Sequence, residues 1–122
     1  VLTGKYLPGK KAPAGSRATD KGSGANMIKG WMRDEVLTAV QGLTPIAQEL
    51  GISMSQLAIA WVLNNPGVSA AIMGASKPSQ VKENVKASGI KLDPSTINAI
   101  NKVLKPVAEF DPKRNVSPNP RP

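Results

Sequence analysis

The 122-residue sequence predicts an α/β chain that is mostly helical and forms one piece of a larger α/β fold. Three observations carry this expectation. Apolar residues recur at helical spacing in successive stretches between residues 34 and 104. One short apolar run, residues 68–73, has the character of a buried strand of a parallel sheet. The first 33 residues show little apolar periodicity. A single strand cannot make a sheet, so this one is expected to pair with chain outside the sequence. The opening Val1-Leu2-Thr3, without Met, is what a fragment or a processed product would show.

Residues 1–33 are rich in Gly, Pro, Lys and Ser and read as a long loop, with the end of a strand at residues 1–3. A loop of that length is uncommon unless it binds something or is disordered. From Asp34 onward, Val36, Val40, Leu43, Ala47 and Leu50 share one helical face. Asp34 and Glu35 suit the positive end of this helix, and Gly51 suits the position just past its other end. Pro45 lies inside the pattern, so a kink or break is expected near residues 42–45.

Ser53, with Gln56 three residues on, matches a capping box. Leu57, Ala58, Trp61 and Val62 give the second helix its buried face, and Asn64-Asn65-Pro66-Gly67 ends it. After the strand-like run, a third helix follows Pro78, with Val81 and Val85 on one face. Asp93-Pro94 caps a fourth helix faced by Ile97, Ile100, Val103 and Leu104, which Pro106 stops. Residues 105–122 are proline-rich and basic, and are expected to form an irregular or disordered tail.

Aromatic residues make up 3% of the chain and apolar residues 40%, so any core must be aliphatic. The formal charge is +8, from 16 basic and 8 acidic residues. That balance fits an anionic partner, such as a phosphate-bearing cofactor or nucleic acid, or a solvated basic surface and tail. With no Cys and no His, disulfides, thiolate chemistry and imidazole catalysis cannot be run by this chain alone. No apolar run approaches the roughly 20 residues of a membrane span, and no signal peptide opens the chain. A cytoplasmic location is expected.

The run 68–73 leads into Gly74-Ala75-Ser76-Lys77 and then a helix start. Such a turn offers backbone N–H groups and a positive dipole end to an anion. Ser76 and Lys77 can add donors, while Gln80, Glu83 and Asn84 can bond sugar hydroxyls or an adenine edge. An ordinary strand-to-helix connection capped by Ser76 has the same pattern, and neither G-x-G-x-x-G nor a P-loop motif is present.

Taken together, Ser55-Gln56-Leu57-Ala58-Ile59-Ala60-Trp61-Val62-Leu63, Gly67-Val68-Ser69, Gly74-Ala75-Ser76 and Gln80-Val81-Lys82-Glu83-Asn84 resemble the C-terminal signature of aldo-keto reductases. The similarity is greatest to the branch with potassium-channel β subunits and bacterial general reductases. Leu2-Thr3-Gly4-Lys5-Tyr6 resembles the segment after the seventh barrel strand, and Gly15-Ser16-Arg17 resembles the cofactor-clasping loop. The resemblance covers about residues 1–104 and is weakest at 18–33.

It implies the C-terminal portion of a TIM (β/α)8 barrel. Residues 1–33 would be the clasping loop, 34–104 the last helices with strand eight, and 105–122 a tail. It also implies NADP(H) ahead of NAD(H), used to reduce a small aldehyde or ketone. Lys5 would approach the pyrophosphate and Arg17 the adenosine end. Gly74, Ser76 and Gln80 would hold the 2′-phosphate and ribose, and Glu83 and Asn84 would contact adenine. Many relatives are basic at or just before the position of Ser76 and at that of Gln80, whereas here the charge is on Lys77. That weakens the NADP preference, because a Lys point charge lacks the Arg fork.

The family's Asp, Tyr, Lys and His tetrad precedes the seventh strand, so no catalytic residue is assigned, and the chain alone is expected to be inactive. Its partner would be the remainder of the barrel, without which exposed apolar faces should make it unstable or oligomeric. Trp61 reads as core. Trp31 reads equally as a substrate-pocket aromatic or as packing, and Lys82, Lys86 and Lys91 as a solvated face. Two other functions fit the charge or the family. One is a small basic nucleic-acid-binding protein, disfavoured by the lack of stacking aromatics. The other is a regulatory or interaction relative.

Overall fold

The structure, a computed structural model, describes residues 1–111. The expectation for the tail beyond Asp111 lies outside the described residues. Six α-helices follow in order: α1 (Gly24–Ile28), α2 (Asp34–Gln41), α3 (Thr44–Glu49), α4 (Met54–Leu63), α5 (Pro78–Asn84) and α6 (Pro94–Leu104). Single 3-10 turns lie at Arg17–Thr19, Lys29–Trp31 and Val85–Gly89. Among the described residues there is no strand, and no single helix is long and apolar enough to cross a membrane.

The expected break in the first long helix is present. Gly42 caps α2, its N–H bonding to the Thr38 carbonyl, and the chain turns at Leu43 into α3. Pro45 sits in the first turn of α3, where a missing N–H costs no hydrogen bond. The capping box of α4 also forms, with Gln56 N–H donating to Ser53 Oγ at 3.2 Å and Ser53 N–H to Gln56 Oε1 at 3.1 Å.

The core is aliphatic. Leu43 and Ala47, from the α2–α3 arm, pack with Leu57 and Ala60 of α4, and with Leu92, Ile100 and Leu104 at and within α6. Trp61 packs at its edge and donates its indole N–H to Asn101 Oδ1 at 3.1 Å, which joins α4 to α6 and satisfies the polar end of the ring.

At the start of α6, Asp93 accepts from the Ser95 hydroxyl at 2.6 Å, the Thr96 N–H at 2.8 Å and the Thr96 hydroxyl at 3.0 Å. These bonds favour the carboxylate and lower its pKa from 3.8 to about 2. A carboxylate whose folded pKa lies below its unfolded value stabilises the fold above that unfolded value. The contribution is therefore present at neutral pH and lost as pH falls from about 4 to 2. In urea melts over that range, Asp93→Asn should flatten the pH dependence, and an unchanged slope would count against the cap.

Several expectations are corrected. Residues 68–73 form no strand: no backbone–backbone hydrogen bond starts or ends within residues 69–75, and Ile72 is fully exposed. A ladder needs a neighbouring strand, and none lies within the described chain. Residues 1–3 likewise close a turn, with Gly4 N–H donating to the Val1 carbonyl, instead of ending a strand. The long loop of residues 1–33 contains α1 and two of the 3-10 turns. Asp20 organises that stretch by accepting from the Gly22 and Gly24 N–H groups, and a Cβ on Gly24 would stand 2.5 Å from its carboxylate. Leu50, Val81 and Val85, read as helix faces, are exposed.

Candidate functional site

An open groove of about 810 Å3 runs between the N-terminal loop and α5, within the size range of small-molecule sites. Lys5, Arg17, Gly74, Ser76, Gln80, Glu83 and Asn84 all line it, although the first two lie far from the others in sequence. Lys77 does not. It lines an adjoining, shallower surface with Pro78, Val81 and Lys82, and this surface shares Ala75 and Ser76 with the groove.

Each wall has a local cause. Gly4 has a φ of 71°, a left-handed conformation that suits glycine, and it turns the chain so that Lys5 enters the groove. Arg17 heads the 3-10 turn, and its guanidinium comes within 3.9 Å of where a Gly74 side chain would begin. On the other wall Ser76 precedes α5, and Ser79, Gln80, Glu83 and Asn84 follow at helical spacing along the length of that helix. Gln56 fixes the height of this wall by donating from Nε2 to the Glu83 carbonyl at 3.1 Å.

Among the lining residues, Lys5 and Arg17 provide positive charge against the single carboxylate of Glu83. Among the described residues, no carboxylate lies within salt-bridge distance of either cation, the one ion pair being Arg33 with Glu35 at 3.9 Å. The groove thus has a net positive lining open to solvent.

The turn before α5 differs from the sequence expectation. Its donors face Gln80. Gln80 Oε1 accepts from Ser76 N–H at 2.8 Å, the Ser76 hydroxyl at 3.1 Å and Lys77 N–H at 3.3 Å. Pro78, the first residue of the seven-residue helix, has no N–H to add. The helix end therefore contributes little on its own, and the positive character of the groove comes from Lys5 and Arg17. Sequence reading missed Thr3, Tyr6, Ile28, Ser55 and Ser79 on the lining. The polar stripe from Ser76 to Asn84 at helical spacing was a signal for Ser79, while nothing local marked Ser55 or Ile28.

Comparison with known proteins settles the family. The model of the aldo/keto reductase family matches residues 1–105. The chain belongs to the aldo/keto reductase family. A probable voltage-gated potassium channel subunit beta of Oryza sativa subsp. japonica is 43% identical over 119 residues, covering 96% of this chain and 34% of that protein. The similarly named protein of Arabidopsis thaliana is 43% identical over 107 residues, covering 86% and 32%. A putative voltage-gated potassium channel subunit beta of Schizosaccharomyces pombe is 43% identical over 107 residues, covering 85% and 30%. The chain spans about a third of the length of these relatives. The aldo/keto reductase match takes in both groove walls and ends one residue past α6.

Proposed function

We propose that this chain forms the cofactor-holding end of an NADP(H)-dependent aldo/keto reductase that converts a small aldehyde or ketone to an alcohol. The observation that supports this best is the meeting of Lys5 and Arg17 with Gly74, Ser76, Gln80, Glu83 and Asn84 in one groove of a family member. In this reading the α4–α5–α6 part belongs to a TIM barrel whose other strands lie outside the chain.

When bound, the nicotinamide cofactor supplies the hydride. The residues here bind and orient it. Arg17 offers a planar fork of donors to a phosphate, and Lys5 offers a mobile ammonium. The Glu83 carboxylate and the Asn84 amide can read an adenosine by its N–H groups and hydroxyls. Ser76 meets a 2′-phosphate once Gln80 gives up the hydroxyl it now holds. Lys77 is outside the groove lining, so Arg17 and Lys5 supply the positive charge that favours NADP(H) over NAD(H). In this reading the Asp, Tyr, Lys and His tetrad that does the reducing chemistry belongs to residues outside this chain.

Titration of the purified chain with NADPH and NADH, followed by cofactor fluorescence, tests the reading. Saturable binding, tighter for NADPH, is expected, together with no turnover of a carbonyl substrate. No saturable binding of either cofactor would sink it. The names of the relatives support a second reading, in which the protein serves as a subunit of a larger assembly and the groove is used for regulation. Both readings keep the cofactor groove and differ in whether the complete protein turns over a carbonyl.

A further inference from the structure

Lys5 and Arg17 are exposed, yet the backbone beside each is held by a less exposed side chain, half-buried Gln41 or buried Tyr6. Gln41, the last residue of α2, donates from Nε2 to the Gly4 carbonyl at 3.0 Å and to the Tyr6 carbonyl at 3.1 Å. These two carbonyls bracket Lys5. Both Nε2 protons are used, so the bonds require an amide and would be lost with a carboxylate or a hydrocarbon. Tyr6 is 5% exposed, and its phenolic oxygen accepts from Ala18 N–H at 3.3 Å. That N–H belongs to the peptide joining Arg17 to Ala18. One continuous path therefore runs from α2 through Gln41, the backbone of Tyr6 and its ring to the peptide beside Arg17. It sets both cations relative to the helical core.

We infer that Gln41 and Tyr6 are positioning residues for phosphate recognition, acting on the ligand through Lys5 and Arg17. Three features support this inference. Long cationic side chains lose affinity when the backbone that launches them is free to wander, because ordering is then needed on binding. The path is built from hydrogen bonds to backbone, which fix direction as well as distance. It also ends on the two cationic side chains of the groove; Gln41 lies outside the lining, and Tyr6, which lies on it, spends its phenolic oxygen on the Ala18 N–H. The inference rests on the cofactor reading proposed above.

The test uses the full chain and 2′,5′-ADP as probe, a ligand carrying the phosphates this end of the groove would meet. Wild-type binding comes first, and a complete lack of it overturns the cofactor reading and this inference together. Tyr6→Phe keeps the ring and removes the acceptor. Its dissociation constant should rise about three- to tenfold, the size of one lost neutral hydrogen bond. In an Arg17→Met background the same change should have almost no effect, because the group it positions is gone. A merely structural role would lower affinity equally in both backgrounds. That result, or no loss in the wild-type background, overturns the inference and leaves the cofactor reading standing. Gln41→Met paired with Lys5→Met forms a second cycle with the same two outcomes, and it decides the matter if Tyr6→Phe loses its helical circular dichroism.

Discussion

Arg17→Met should weaken binding of 2′,5′-ADP by about ten- to a hundredfold, the equivalent of one charge-assisted hydrogen bond of about 1.5–3 kcal/mol. Arg17 stands near Gly74 in the groove with no carboxylate within salt-bridge distance among the described residues, so an arriving phosphate has no ion pair of Arg17 to break. Arg17→Lys should fall between, because it keeps the charge and loses the fork. Lys77→Met is the informative comparison. It removes the same charge from a residue outside the groove lining, so its effect should stay within about twofold and shrink with added salt. Equal losses for the Arg17 and Lys77 variants would show that net charge, and not the groove, governs affinity.

Leu57→Ala should cost about 2–5 kcal/mol of folding stability. Leu57 is 1% exposed and lies in the cluster shared by the α2–α3 arm, α4 and α6, so its loss leaves a cavity where three parts of the chain meet. Set against a typical domain stability of about 5–15 kcal/mol, that is a large share. Val81→Ala, at an exposed position on α5, should change stability by no more than about 0.5 kcal/mol. Urea unfolding of the two variants gives the comparison. Similar midpoints would contradict the described core.

The sequence was most informative where the cause of a feature is local. The Ser53–Gln56 box, the Asp93 cap, the break ahead of Pro45 and the apolar faces around Val40, Leu57 and Ile100 each depend on residues a few positions apart, and each is present. The strand at residues 68–73 depended on partners, and pattern alone cannot supply them. Val81 and Val85, read as one face of the third helix, are exposed for a related reason: an apolar face is buried only if something packs on it. In the groove, the residues from Gly74 to Asn84 were visible as a turn followed by a polar stripe. Lys5 and Arg17 came from family resemblance, and only the folded chain brings them to that stripe. Nothing in the sequence singled out Gln41, because its two acceptors lie more than thirty positions away.

The unpaired backbone of residues 69–75 leads directly into Gly74, Ala75 and Ser76 of the groove. Any strand that laddered onto this backbone would also fix the position of the groove wall. By thermodynamic reciprocity, a ligand that prefers the fixed wall must favour the laddered state by the same free energy. If a strand pairs there and a ligand prefers the fixed wall, pairing and occupancy would be coupled equilibria: a filled groove would raise the affinity for the pairing strand, and a paired strand would raise the affinity for the ligand.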